Sequence, residues 1–359
     1  MKKYLQKLKL NVNMNCITLK QVAELTGKSE ATVSLVLNSK QFHRVSPKTR
    51  REIEAVAERL GYTPNLQAQA LVRGKTCSIA ITAVGMTPFY NEYIRRLTHL
   101  FEKQNYNVFA FETMLNPERE KQVVNWVSQR LFDGCICLEY NYSNQSFYDR
   151  LSKKGIPHVF RGWNALEFYP EHMIRVDYRS AISELFTHLE AQGYRRLSVI
   201  IDSSSYFVEE DSFSVRKSLY YELIHNRQLS IDPEAWIAVP IDVENHLHYC
   251  YEKTCEMLAC CPDVDVLIVQ SAADVPAVYK AVEEAGRRIG TDLAVATFDR
   301  IPMLDYMAPP VTYIHEPCEV IADLIAAEML AQLGATEMSF SSRKVEAILA
   351  VNDSTLKTM

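Results

Sequence analysis

Apolar positions recur at helical spacing in three short runs near the amino end. In the first, Leu19, Val22, Ala23 and Thr26 share one face behind a Thr18-x-x-Gln21 capping box, and Gly27 breaks the run. In the second, Ser29 can cap a helix whose apolar face is Val33, Val36 and Leu37. The third starts at Ser46-Pro47, buries Ile53, Val56, Ala57 and Leu60, and stops at Gly61. From Cys77 onward the period changes. Strand-like runs (SIAITAV, NVFAFET, FDGCICLEY, IPHVFRG, RRLSVIID, VDVLIVQS, LAVATFD) alternate with amphipathic ones such as NEYIRRLTHLFEKQNY, SAISELFTHLEAQGY and VPAVYKAVEEAG. That alternation predicts βαβ units, a parallel sheet and helices on both faces.

Two helices joined by Thr26-Gly27-Lys28 and braced by a third describe a helix-turn-helix, although any small helical bundle shares the pattern. Charge favours the first. Residues 1–75 hold fourteen lysines and arginines against five acids, a net +9. The whole chain is −5, which leaves −14 for the remainder. A basic head on an acidic body is the electrostatic footprint of a nucleic-acid-binding module.

The motifs Thr18-Leu19-Lys20-Gln21-Val22-Ala23, Ser29-x-x-Thr32-Val33-Ser34, Val36-Leu37-Asn38, Val45-Ser46-x-x-Thr49-Arg50 and Leu60-Gly61-Tyr62-x-Pro64-Asn65-x-x-Ala68-x-x-Leu71-x-x-Gly74 resemble the DNA-binding head of LacI/GalR-family transcriptional regulators. The rest of the chain resembles the family's effector-binding core more loosely. The resemblance implies an all-α helix-turn-helix head at 14–62, a hinge helix at 63–75, and a periplasmic-binding-protein-like α/β core at 76–359, made of two doubly wound parallel-sheet lobes. Lobe 1 is expected at about 76–161 and 316–334, lobe 2 at about 162–315 and 335–355. The crossovers then fall near Arg161-Gly162 and His315.

In such a head the second helix enters the major groove, which puts Glu30, Ala31 and Leu35 at the base edges. Leu35 replaces a frequent arginine and so lacks its bidentate guanine contact. Glu30 can accept from a cytosine amino group, and Ala31 and Leu35 can pack on thymine methyls. Leu35 can also be read as core. Thr18, Ser29, Thr32, Ser34, Asn38, Arg44, Ser46, Thr49, Tyr62 and Asn65 match positions that hold the phosphate backbone. The loop Ser39–Arg44 is longer than usual. A helix as short as the hinge does not persist alone in water; the resemblance implies that it forms when two chains pair on the operator, with Leu71 wedged into the minor groove. In the core, Arg216 and Asp299 align with an arginine and an aspartate that bind effector hydroxyls, or else form a structural ion pair. Phe89 is placed to stack on a ligand ring, and Arg161 and Trp163 to wall the pocket. Ala272-Ala273 stands where Asn-Asp is usual, which puts the carbohydrate assignment in question.

Several classes lose ground. No apolar run approaches the ~20 residues that cross a bilayer, and MKKYLQKLKLNVNMN is not a secretory signal, so cytoplasm is the expected location. Residues 1–13 are expected to be a disordered basic extension or to follow from a mis-assigned start. Nine cysteines, an odd number, argue against a disulfide framework. Cys135-x-Cys137 on one strand face points to packing, and no metal-ligand spacing, cofactor motif or catalytic constellation is legible. The expected function is a repressor: a homodimer on a double-stranded, pseudo-palindromic operator, controlled by a small-molecule effector, expected to be a sugar. With no terminal leucine heptads, a tetramer is not expected. The alternatives are a small-molecule receptor of the periplasmic-binding class, and an enzyme on the same fold.

Overall fold

The computed structural model describes residues 17–38, 44–139, 144–163, 171–203, 212–335 and 342–357. The chain divides into two compact units, Met1–Thr76 and Cys77–Met359.

The first unit is helical: α1 (Leu19–Thr26), α2 (Glu30–Asn38), α3 (Pro47–Leu60) and α4 (Leu66–Arg73). Its ends are set locally. Gln21 N donates to Thr18 Oγ1 at 3.3 Å while Thr18 N donates to Gln21 Oε1 at 2.8 Å, which closes the capping box. Gly27 ends α1 at φ +63°, a left-handed turn that side-chain-bearing residues adopt at a cost. Ser46 caps α3 by accepting from Thr49 N at 3.2 Å. Val22, Ala23, Val33, Val36, Ile53 and Ala57, two from each of α1 to α3, form one buried cluster. The expected short fourth helix is present, closed by Asn65 (Ala68 N to Oδ1, 3.1 Å) and Gly74.

The second unit holds two six-stranded sheets. In chain order the first set is β1 (Ser78–Ala83), α5 (Pro88–Glu102), β2 (Asn107–Glu112), α6 (Pro117–Ser128), β3 (Gly134–Cys137), α7 (Gln145–Lys153), β4 (His158–Trp163) and β5 (Met173–Asp177). Next come α8 (Arg179–Ala191), β6 (Arg196–Ser203), α9 (Ser212–Ile224), β7 (Ser230–Pro240), α10 (His246–Cys260), β8 (Val266–Val269), α11 (Val275–Glu284), β9 (Ala294–Phe298) and β10 (Thr312–His315). The chain finishes with α12 (Cys318–Gln332), β11 (Ser342–Glu346) and β12 (Ile348–Ala350). The sheet orders are β11-β5-β4-β3-β1-β2, all parallel, and β12-β10-β9-β8-β6-β7, parallel except for β12. Successive residues in these strands serve opposite faces. Ile79, Ile81 and Ile136 enter the large core cluster, whereas Ala80, Cys135 and Cys137 pack with Val123, Val124 and Val127 of α6. Cys135 and Cys137 are free thiols 3.8 Å apart, buried in that packing. A Cβ on Gly134 would lie 2.7 Å from Met329 Sδ, so the glycine lets α12 seat on β3. Among the described residues no helix is long and apolar enough to cross a membrane.

The lobe boundaries differ from those read in the sequence. The first sheet does not end at Arg161. β5 pairs with β4 (Phe160 with Met173) and β11 pairs with β5 (Val345 with Val176), so residues 173–177 and 342–346 belong to lobe 1. The chain crosses at Asp177–Tyr178, at Glu316 and at Ala347. Arg175 and Asp177 interrupt the apolar run of β5, and β11 is a polar edge strand (SRKVE), so neither carries the pattern of a buried strand. β7, β10 and β12 also escape the pattern: Asp232, Pro233 and Glu234 interrupt β7, and β10 and β12 are only four and three residues long. The expected extension 1–13 and loop residues 39–43 lie outside the described residues.

Glu120 is buried on α6, accepting from Tyr148 Oη and, at 2.8 Å, from Asn144 Nδ2. Burial raises its pKa from 4.5 to about 7, with the two hydrogen bonds opposing. Between those values the folded state holds a proton that the unfolded state has lost, so this group's contribution to stability falls as pH rises through the window. Glu120→Gln is expected to be more stable than wild type by about 2–3 kcal/mol at pH 8 and to lose that advantage at pH 4. Urea unfolding at the two pH values measures the difference; an equal gap at both rules out the buried acid as its cause.

Candidate functional site

The head presents its expected reading residues at the start of α2. Glu30 and Ala31 are exposed; Leu35 is half-buried and is not a member of the head's core cluster. Ser29 Oγ accepts from Thr32 N at 3.2 Å and lies 2.8 Å from Thr32 Oγ1; Ser46 Oγ donates to Thr49 Oγ1 at 2.9 Å. Hydroxyls and backbone N–H groups therefore cluster at the starts of α2 and α3, where the helix dipole favours a phosphate. Thr18 and Asn65 cap α1 and α4, Arg44 is exposed just before α3, and Ser34 is half-buried. Tyr62 departs from a purely surface role, because its ring packs against the head's core. The side chain of Asn38 is outside the described residues. On α4, Leu71 and Val72 are 87% and 88% exposed. Two adjacent apolar side chains are thus left uncovered on a two-turn helix.

In the second unit the carboxyl ends of both sheets face one cavity of about 400 Å³. Open α/β sheets bind ligands at this end, where connections diverge to opposite faces. Lobe 1 supplies Phe89 at the start of α5, Glu112 at the end of β2, Glu139 after β3 and Arg161 of β4. Lobe 2 supplies Asp202 of β6, His246 at the start of α10, Gln270 and Asp274 beyond β8, and Asp299 beyond β9. Asp299 holds φ +66°, and its N–H donates to Ile314 O at 2.8 Å. A left-handed non-glycine residue at a cavity is the kind of strain found at ligand sites.

Arg161 lines the cavity, but its guanidinium has no donor to spare. It is 2% exposed. Nε donates to Glu316 Oε2 at 2.9 Å, and Nη1 donates to Leu138 O at 3.0 Å and Glu139 Oε2 at 3.1 Å. Nη2 donates to Glu316 Oε1 and, at 3.5 Å, to Tyr178 Oη. These contacts use all five guanidinium N–H groups. Tyr93 and Tyr178 also donate to Glu316. Burial by itself would lower the Arg161 pKa; Glu316, Tyr93, Tyr178 and Glu139 together more than offset it and hold the group well above its usual value. What Arg161 shows its surroundings is its flat face, 5.1 Å from the centre of the Phe89 ring. The expected wall residue is thus present, as an anchor of the lobe junction and not as a free donor.

Phe89 and Asp299 both line the cavity. The side chains of Trp163, at the end of β4, and of Arg216, within α9, are outside the described residues. Sequence reasoning missed Asp202, His246, Glu139 and Tyr178. Asp202 lies at the end of one apolar strand and Glu139 just beyond another, a position that the strand-end rule could have flagged. His246 carried no signal, because its neighbours come from other loops. Its Nε2 lies 3.0 Å from Asp274 Oδ1 and its Nδ1 lies 3.0 Å from Pro240 O. The Asp274 hydrogen bond holds its pKa up at about 9 against burial.

Residues 18–65 match the family described as bacterial regulatory proteins, lacI family, and residues 186–355 match the periplasmic binding protein-like domain. The HTH-type transcriptional repressor PurR of Histophilus somni is 24% identical over 306 residues, covering 83% of this chain and 87% of that one. A LacI-family transcriptional regulator from Silicibacter pomeroyi superposes with a TM-score of 0.78 at 21% identity, over 95% of this chain and 100% of that one. The lac repressor dimer bound to operator and the anti-inducer ONPF gives 0.72 at 19%, again over 95% and 100%. A helix-turn-helix head on a two-lobed ligand-binding core defines a ligand-responsive DNA-binding regulator. The chain belongs to the LacI/GalR family of transcriptional regulators.

Removing one partner of a buried ion pair leaves the other charge without compensation. Glu316→Gln is expected to cost about 3–5 kcal/mol in denaturant unfolding. The double variant Arg161→Met/Glu316→Gln should recover part of the loss. A double variant as unstable as the sum of the single changes would show that the pair acts independently.

Proposed function

We propose that the chain is a cytoplasmic repressor that binds a pseudo-palindromic operator as a homodimer and changes affinity when a small molecule enters the core cavity. The observation that carries this is the pairing, in one basic unit, of exposed Glu30 and Ala31 at the front of α2 with the uncovered Leu71 on α4. Glu30, Ala31 and Leu35 read base edges; Leu71 enters the minor groove of a bent duplex. Thr18, Ser29, Thr32, Ser34, Asn38, Arg44, Ser46, Thr49, Tyr62 and Asn65 hold the backbone. The relatives named as repressors, and a lac repressor dimer bound to its operator, support this reading. The acidic core repels DNA and leaves the head as the docking face.

The effector is proposed to be a hydroxyl-rich molecule of the sugar class. Carboxylate acceptors lead among the polar side chains of the described lining, at Glu112, Asp202 and Asp299, and hydroxyls donate to carboxylates. Phe89 offers a ring face, and Arg216 is assigned the donor role. Trp163 and Arg161 complete the wall.

Selection of bound sites from random DNA with the purified chain is expected to enrich two-fold symmetric sequences. On the selected site Leu71→Ala should lose about tenfold in affinity, the equivalent of burying part of one leucine. Sites without symmetry, or undiminished binding by the variant, would sink the dimeric hinge reading. For the cavity, a calorimetric screen of sugars and nucleosides should find a binder that Arg216→Ala and Asp299→Asn each weaken by about ten- to a hundredfold. Equal affinity in a variant removes that residue from the site.

A further inference from the structure

We propose that Asp202, His246 and Asp274 form a binding site for a divalent transition-metal ion on the second-lobe wall of the cavity. The three side chains arrive from separate elements: the end of β6, the first residue of α10 and the short turn after β8. One ligand atom from each lies within 4.8 Å of the other two. His246 Nε2 and Asp274 Oδ1 are 3.0 Å apart, a separation that two ligands of one ion can keep. All three line the cavity.

Two further observations point to a ligand. Asp274 is 1% exposed, and its Oδ2 is buried without a hydrogen-bond partner. A carboxylate oxygen left so in a dry wall calls for something to occupy its lone pairs. His246 Nδ1 lies 3.0 Å from Pro240 O, so this nitrogen carries the proton and donates, and Nε2 is the atom presented to an ion. A backbone carbonyl behind the ring is the support usual for a metal-ligating histidine. Charge agrees as well. The described lining contains five carboxylates (Glu112, Glu139, Asp202, Asp274 and Asp299), and its one arginine or lysine, Arg161, has no donor left.

One imidazole nitrogen and two carboxylate oxygens suit borderline first-row dications such as Zn²⁺, Co²⁺ and Mn²⁺. On binding, the metal takes the Nε2 lone pair and any proton there passes to solvent. Three protein ligands leave coordination positions open towards the cavity. If the cavity holds the effector, a hydroxyl or carboxylate oxygen of that effector completes the set; this last point rests on the function proposed above, whereas the ion site itself does not. Because the ligands come from three separate segments, no spacing in the sequence announces them.

Full-length protein stripped with a chelator and titrated with Co²⁺ alone is expected to take up one ion per chain, with the visible bands of nitrogen and oxygen ligation. His246→Ala and Asp274→Asn should each weaken uptake by at least about tenfold, and Cys260→Ser should leave it unchanged. Far-UV circular dichroism guards against misfolded variants, and operator binding is measured on the same samples. No saturable uptake, equal affinity in His246→Ala, or a signal carried only by thiolate charge-transfer bands overturns the proposal. Intact uptake with no DNA binding leaves the ion site standing and removes the regulator reading; the reverse outcome does the opposite.

Discussion

Arg161 and Glu316 set the geometry of the core. Glu316 stands where the chain passes from the second lobe back to the first, and Tyr178, which donates to it, stands where the chain first leaves. Arg161 reaches both from β4 and also holds Leu138 O and Glu139. A charged pair buried this deeply is tolerated only when its lone pairs and N–H groups are satisfied, and this one is. Two of the three interlobe crossings are therefore tied to a single point beside the cavity. Phe89 of the first lobe and Asp299 of the second line the cavity on either side of that point.

The cavity walls follow from the way parallel sheets are built. Strand ends that carry Glu139, Asp202, Gln270 and Asp299 converge because both sheets present their carboxyl edges to the same space. The outcome is an acceptor-rich chamber. Its one described arginine is committed to the lobe junction, and its one histidine is committed to Asp274 and Pro240. Such a lining selects ligands that bring donors or positive charge. The head works on the opposite logic: a basic, donor-rich surface shaped by helix starts, held by a core of six small and medium apolar side chains.

The sequence by itself determined the head and the class of the core. Capping boxes, Ser-Pro starts and glycine stops act within one turn of chain, so Thr18, Gly27, Ser46 and Gly61 sit where local chemistry requires. Alternating runs likewise revealed the buried strands, whose residues are apolar on both faces. The tertiary structure alone decided the lobe boundary, the role of Arg161 and the meeting of Asp202, His246 and Asp274. β5 and β11 join their sheet through backbone pairing, which needs no apolar signature. Arg161 is neutralised by Glu316, 155 positions away. A contact between residues so distant leaves no periodicity or spacing behind, because it arises only when separate loops are carried together by the packing of the two sheets.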